Sequence, residues 1–230
     1  MKIAAIIPAR EGSKRIPKKN HHAIDNDYLI NKVIKNLKKS KYISEIFIST
    51  DDQELKNIIS SKELKFLSRK PEFCDDFSTV VDLIRSHYIE DLHEYDIIFQ
   101  IYIHSITIDA QTINNAIEAL INSDKKILTS ITRMNVPVEW TFKKKRTGLV
   151  SNFPGMQNIR SQDLEESFLD AGQFYGYKSE WFDQNGANDY EESAYLEIKD
   201  YQSVDLDVPE DIEKLEYSYS YAKSIAPELS

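Results

Sequence analysis

Cysteine occurs once in the 230 residues, at Cys74, so no internal disulfide can form and a cysteine-based zinc finger is excluded. That usage fits a reducing compartment. Glycine is scarce as well, with six in the whole chain, well under the usual ~7%. Each one left therefore has a stronger claim to being needed. No run approaches the roughly 18 apolar residues of a membrane span. The opening stretch is interrupted by Pro8 and Arg10 before it could read as a signal peptide. The expectation is a cytoplasmic chain with no membrane partner. Positive charge is in deficit: 29 Lys and Arg against 38 Asp and Glu give a net −9. That argues against a nucleic-acid-coating protein but leaves room for a local basic pocket. Internal repeats, low-complexity linkers and a clear domain boundary are all missing. His21, His22, His87, His93 and His104 show no ligand spacing with Cys74 and read as structural or surface residues. No Ser/His/Asp triad is legible.

What is present is globular. Hydrophobic residues make up 41% and charged residues 29%, enough apolar content for a real core in a chain of this size. Lys, Ile and Asn are plentiful, which looks like genomic composition bias and weakens arguments from their frequency. Residues 3–7 form a short apolar run ending at Pro8, a buried parallel strand. Leu29, Ile30, Val33, Ile34 and Leu37 fall at helical spacing. Residues 43–49 read as a second strand, and Asp52 as the cap of a helix carrying Leu55, Ile58 and Ile59. A weak strand at 64–67, a helix through Val80, Val81, Ile84 and Tyr88, a central strand at 96–103, a helix through Ile113 to Ile121 and a strand at 127–132 follow. This alternation predicts an α/β fold, a three-layer and mostly parallel sheet built from βαβ units. Residues 140–150, with Lys143, Lys144, Lys145, Arg146 and Gly148, read as a hairpin or arm. Residues 168–177 are strand-like, 195–198 and 203–206 are short strands, and Pro209 opens a last helix.

Three segments could carry chemistry. The first is Pro8-Ala9-Arg10-Glu11-Gly12-Ser13-Lys14-Arg15-Ile16-Pro17-Lys18-Lys19-Asn20. A buried strand delivers it to the carboxyl edge of the sheet, where ligands of open α/β sheets bind. Gly12 permits close backbone approach, Ser13 and backbone N–H groups suit phosphate oxygens, and the cations favour a polyphosphate. It is neither a Walker A loop nor GxGxxG, so a solvated basic loop is the alternative. The second is Asp205-Leu206-Asp207-Val208-Pro209-Glu210-Asp211. Strand alternation puts Asp205 and Asp207 on one face, as suits Mg²⁺, which takes one or two carboxylates plus substrate phosphates. The alternative is acid at a helix N-terminus, which suits Glu210 and Asp211 well and Asp205 poorly. The third runs from Asn158 through Arg160 and Gln162 to Glu166 and on to Asp170-Ala171-Gly172-Gln173-Phe174-Tyr175. Its dense polar residues suit either a ligand-lining loop or an ordinary surface loop.

At these residues the chain resembles a known family. Ile6-Ile7-Pro8-Ala9-Arg10-x-Gly12-Ser13-Lys14-Arg15-Ile16-Pro17-x-Lys19-Asn20 is similar to the opening motif of the acylneuraminate cytidylyltransferases, the CMP-sialic acid synthetase group. Ser49-Thr50-Asp51-Asp52, then Arg69 followed by Glu72, Asp75 and Asp76, and then Asp205-Leu206-Asp207-Val208-Pro209-Glu210-Asp211 resemble further motifs of it. Asn158 to Glu166, Asp170 to Tyr175 and Ile101-Tyr102 look most like the pseudaminic acid cytidylyltransferases. Three places differ from that pattern: Ile103-His104-Ser105-Ile106-Thr107 stands for Ala-Thr-Ala-Pro-Phe, Gly176 for Trp, and Glu11 for glycine.

The resemblance implies a Rossmann-like fold of the nucleotide-diphospho-sugar transferase type, one domain over residues 1–230, with 138–155 as a dimerisation arm in a homodimer. It implies that CTP and a nine-carbon sugar acid give the CMP-sugar and pyrophosphate with Mg²⁺. Arg10, Ser13 and Lys19 would hold the triphosphate with help from Lys14 and Arg15. Asn20 and Arg69 would contact the nucleotide, and Asp205 and Asp207 would hold the metal. Asn158, Arg160, Gln162 and Gln173 would line the sugar pocket. Rivals are a sibling acting on sialic, legionaminic or 3-deoxy-octulosonic acid, a non-catalytic nucleotide-binding homologue, and a nucleotidyltransferase for a sugar 1-phosphate.

Overall fold

The computed structural model describes residues 1–75, 78–183, 190–226 and 229. β1 (Ile3–Pro8) is followed by a tight hairpin of β2 (Ala23–Ile24) and β3 (Asp27–Tyr28), then α1 (Leu29–Lys39) and β4 (Glu45–Thr50). Next come α2 (Leu55–Ile58), β5 (Lys65–Ser68), α3 (Val80–His87) with a π-helical extension, β6 (Ile97–Ile101), α4 (Ala110–Ile121) and β7 (Ile127–Arg133). The last part holds β8 (Phe142–Lys145), β9 (Gly148–Ser151), β10 (Phe168–Lys178), α5 (Ser179–Phe182), β11 (Ser193–Glu197) and α6 (Glu210–Ile225).

Seven strands form one sheet in the order β11-β7-β10-β6-β1-β4-β5. All neighbours are parallel except β10, which runs antiparallel to both β6 and β7. The mostly parallel three-layer expectation is therefore met. β1 is buried along its whole length. Its side chains alternate between two cores: Ile3, Ala5 and Ile7 pack with α1, α4 and α6, while Ala4 and Ile6 pack with α3 and α5. A strand that is apolar on both faces must be covered on both.

Local signals hold as well. Asp52 Oδ1 accepts the N–H groups of Glu54 (3.0 Å) and Leu55 (3.1 Å), capping α2 as its position predicts. The basic stretch at 140–150 is the β8–β9 hairpin, and both of its strands are largely solvent-exposed. Asp25 and Asn26 turn the β2–β3 hairpin with positive φ, 53° and 59°.

One expectation fails. Residues 203–206 form no strand. Their backbone groups are satisfied by side chains instead: Gln173 Nε2 donates to the Val204 carbonyl (3.2 Å) and Lys19 Nζ to the Leu206 carbonyl (2.7 Å). Burial still alternates at the end of this stretch, with Asp205 exposed and Leu206 buried.

Gly176, in β10, has a reason of its own. A Cβ there would lie 2.9 Å from Leu120 Cδ2 and 3.4 Å from Leu128 Cβ. Gly176→Val should destabilise the fold by about 1–3 kcal/mol through overpacking. Urea unfolding read by circular dichroism checks this, and an unchanged midpoint would contradict it.

Candidate functional site

The loop after β1 is tied to the ends of neighbouring elements. Ala9 N–H donates to the Ser49 carbonyl (2.9 Å), and Thr50 Oγ1 donates to the Ala9 carbonyl (2.6 Å). Glu11 N–H donates to Asp51 Oδ1 (2.9 Å) and Asn20 Nδ2 to the Arg10 carbonyl (2.8 Å). Arg10 reaches across to the Asp75 carbonyl. Ile16 plugs into the core. Lys18 takes a left-handed φ of 54° and opens the short turn Lys19–His21, where His21 meets Asp52 Oδ2 at 2.7 Å. A Cβ on Gly12 would meet nothing within 4 Å, so this backbone stays open to an approaching ligand.

This frame forms one wall of a cleft of about 360 Å³. Arg10, Ser13, Lys14, Arg15, Lys19 and Asn20 line one side, Tyr102 and Ile103 the floor, and Leu206 and Asp207 the far side. Arg15 bridges the mouth to Asp207 at 2.5 Å. Lys19 points inward. Burial lowers its pKa, while Asp205 and Asp207 pull it back up. The basic segment and the aspartate segment, 187 residues apart, thus meet at one ammonium.

Asp205 lies behind Asp207, against the bulge of β10. His104 Nε2 donates to the Gly172 carbonyl (3.2 Å) and lies 3.4 Å from Asp205 Oδ1. Gly172 has a φ of 61°, and a Cβ on it would stand 3.8 Å from Asp205 Oδ2. The His104 ring stacks on Tyr102, centroids 5.4 Å apart. Burial outweighs the pull of Asp205 and pushes the imidazole down to about 4, so it is neutral at pH 7. Burial also pushes the Tyr102 hydroxyl up to about 12. Further along the acidic segment, Asp211 Oδ2 accepts the N–H groups of Asp207 and Val208, both at 2.9 Å, and Lys214 pairs with Asp211 at 2.7 Å.

Seven of the expected site residues, Arg10, Ser13, Lys14, Arg15, Lys19, Asn20 and Asp207, share the cleft; Asp205 is not in its lining but stands close enough to act on Lys19. Others fall elsewhere. Asn158, Arg160 and Gln162 sit in a loop beside the β8–β9 hairpin, where Trp140 Nε1 donates to the Ile159 carbonyl and Arg160 pairs with Asp163 at 2.8 Å. They do not line the cleft of this chain. Gln173 is wholly buried and serves the core, its amide donating to the Ala171 and Val204 carbonyls. Arg69 is half-buried near Asp51, Cys74 and Arg10, outside the cleft lining. Asp76 lies outside the described residues.

In the sequence, Tyr102 and residues 103–107 stand only as points of likeness to or difference from the family, and His104 as a structural or surface residue; none is given a role in the site. Only their position just past the central strand could have pointed to them. Space also assembles what the sequence did not show: Ser49 Oγ lies 2.8 Å from His87 Nε2, and His87 Nδ1 lies 3.6 Å from Asp91 Oδ2. Ser49 is fully buried, so this trio fastens β4 to α3 and offers no nucleophile. Cys74 is half-buried, and burial pushes its thiol up.

A family model described as "Cytidylyltransferase" matches residues 4–216. The chain is 30% identical over 196 residues to the pseudaminic acid cytidylyltransferase of Campylobacter jejuni, covering 80% of this chain and 82% of that one. It is 30% identical over 210 residues to N-acylneuraminate cytidylyltransferase A of Danio rerio, covering 90% of this chain and 48% of that protein. In fold it matches a CTP-complexed CMP:2-keto-3-deoxy-manno-octonic acid synthetase with a TM-score of 0.71 at 16% identity, over 96% and 99% of the two chains.

Asp211 generates a pH prediction. Its bond with Lys214 and the two backbone N–H groups hold its carboxyl down at about 2, against an ordinary 3.8. A depressed carboxyl stabilises the fold above the unfolded pKa, and that share is lost as pH falls through the folded one. Asp211→Asn should cost about 1 kcal/mol at pH 7, and the gap to wild type should close between pH 4 and pH 2. Urea titrations of both proteins at several pH values measure this; a gap that widened on acidification would refute it.

Proposed function

The chain belongs to the cytidylyltransferase family, and we propose that it transfers the cytidylyl group of CTP to a nonulosonic acid, foremost pseudaminic acid, with release of pyrophosphate. The observation that carries this reading is the cleft itself. A pinned cationic loop at the carboxyl edge of the sheet faces Asp207 across a space open to a triphosphate, with Asp205 close enough to act on Lys19. The relatives' names supply the nucleotide and the class of sugar acid.

The reaction needs positioning and charge neutralisation more than covalent chemistry. The anomeric hydroxyl attacks the α-phosphorus in line, the bond to the bridging oxygen of the β-phosphate breaks, pyrophosphate leaves, and the hydroxyl proton passes to solvent. Arg10, Lys14 and Arg15 hold the β- and γ-phosphates, and the Ser13 hydroxyl adds a donor. Lys19, rooted on the Leu206 carbonyl, holds charge beside the α-phosphate. Asn20, in the cleft lining, keeps the loop backbone in shape through the Arg10 carbonyl and stands where it can contact the nucleotide.

Among the described residues no three His, Cys, Asp or Glu converge on an all-protein metal cage. Two half-exposed carboxylates, Asp205 and Asp207, do flank Lys19. That donor set fits Mg²⁺, which completes its shell with water and substrate phosphates. Asp205 and Asp207 would hold it, and when bound it supplies charge neutralisation on the phosphate oxygens. The β8–β9 hairpin exposes Phe142, Leu149 and Val150, and we take residues 138–155 as the arm that a second copy covers in a homodimer. Asn158, Arg160 and Gln162, beside that hairpin, would then serve a sugar site only as part of the pair. No helix among the described residues is long and apolar enough to cross a membrane.

Pyrophosphate release with CTP and Mg²⁺, against pseudaminic, sialic and legionaminic acids and a no-sugar control, tests the reading. One acid should give strong release; silence with all of them from folded protein would sink it. Asp205→Asn should cut turnover by about 100-fold or more with the melting temperature kept, and normal turnover would remove Asp205 from the metal role. Lys19→Ala should lower kcat/KM for CTP by about 100-fold, and an unchanged response to CTP would remove Lys19 from the triphosphate site.

A further inference from the structure

Nothing in the proposed reaction uses His104, yet three segments converge on its ring. It stands in the turn after β6, is 3% exposed, and lies flat against Tyr102 of the cleft floor. Its Nε2 faces two oxygens, the Gly172 carbonyl at 3.2 Å and Asp205 Oδ1 at 3.4 Å. Both are acceptors, so Nε2 carries the hydrogen. Nδ1 is buried with no hydrogen-bond partner among the described residues. A ring that filled space alone would not need this polar atom, whose burial carries a cost. Asp205 Oδ1 also takes its neighbour's Leu206 N–H at 2.7 Å. Asp205 Oδ1 thus accepts from the chain on one side and faces the N–H edge of His104 at 3.4 Å on the other, with left-handed Gly172 alongside.

We propose that His104 is a positioning residue for Asp205: its ring, anchored through Nε2–H on the Gly172 carbonyl, turns that N–H edge toward Asp205 Oδ1 at 3.4 Å and so fixes the carboxylate beside Lys19. The inference rests on the cytidylyltransferase reading, in which Asp205 serves the metal. Groups that orient a metal-binding carboxylate are generally worth 10–100-fold in activity or metal affinity.

Two variants separate the parts of the ring. His104→Phe keeps the stack on Tyr102 and removes the donor. His104→Gln keeps a donor at similar reach and removes the stack. H104F should lower kcat and raise the half-saturating Mg²⁺ concentration, each by about 10-fold, with KM for CTP nearly unchanged. H104Q should recover most of both. Wild-type values in H104F, or equal damage in both variants, would overturn the proposal. Nuclear magnetic resonance of ¹⁵N-histidine-labelled wild-type protein gives a readout independent of turnover and of how the variants fold. The His104 signal, assigned by its loss in H104Q, should show the Nε2–H tautomer and should move in Asp205→Asn. An Nδ1–H tautomer, or an Nε2 signal indifferent to D205N, would overturn the proposal whatever the kinetics. If the wild type releases no pyrophosphate with any acid, the functional reading fails, and the tautomer and its response to D205N still decide whether His104 holds Asp205.

Discussion

A single half-buried ammonium ties two distant segments of the chain into one site. Lys19 comes from the loop after the first strand, and its Nζ is seated on the carbonyl of Leu206 near the start of the last helix. Taking a charge out of water is unfavourable unless partners replace the solvent. Here a backbone carbonyl does so directly, and the fields of Asp205 and Asp207 favour the charged form against the burial that opposes it. The relation also runs the other way. Two carboxylates brought to one edge of a small cleft repel each other, and Lys19 and Arg15 are the cations that make their approach tolerable.

The rest of the architecture keeps that meeting in place. β1 is covered on both faces and cannot shift without disturbing two cores. Its outgoing loop is pinned by Ser49, Thr50 and Asp51, and the far end of the loop is pinned by His21 on Asp52. Opposite, Asp211 grips the backbone of Asp207 and Val208. The cations and carboxylates therefore rest on backbone held by buried groups, which is the preorganisation that electrostatic catalysis requires. Tyr102 and His104 join the walls from below, at the carboxyl end of β6.

Much of this was legible in the sequence for identifiable reasons. Strands buried on both faces leave continuous apolar runs, and the amphipathic helices between them leave stripes, so the βα alternation could be read directly. The basic loop stood out because its charge is out of keeping with an acidic chain. Sheet order was not legible, because β10 enters antiparallel between β6 and β7 through contacts far apart in sequence. The 203–206 strand was misread because the pattern reports which side chains face the core, not who accepts the backbone hydrogen bonds. Those bonds went to Lys19 and Gln173. Gln173 itself is drawn into the core by these obligations. His104 reads as a structural or surface residue because one histidine carries no spacing signal, and its meaning lies in Gly172 and Asp205, distant in sequence.

The central claim is that the Arg10–Lys19 loop and the Asp205–Asp207 segment grip one nucleotide between them. A crystal structure of the chain with CTP and Mg²⁺ tests it most directly. The account predicts the triphosphate in the cleft against Ser13 and Lys19, with the metal on the Asp205 and Asp207 carboxylates. A nucleotide bound elsewhere on the molecule, or one in the cleft with its phosphates turned away from Lys19 and both aspartates, would contradict it.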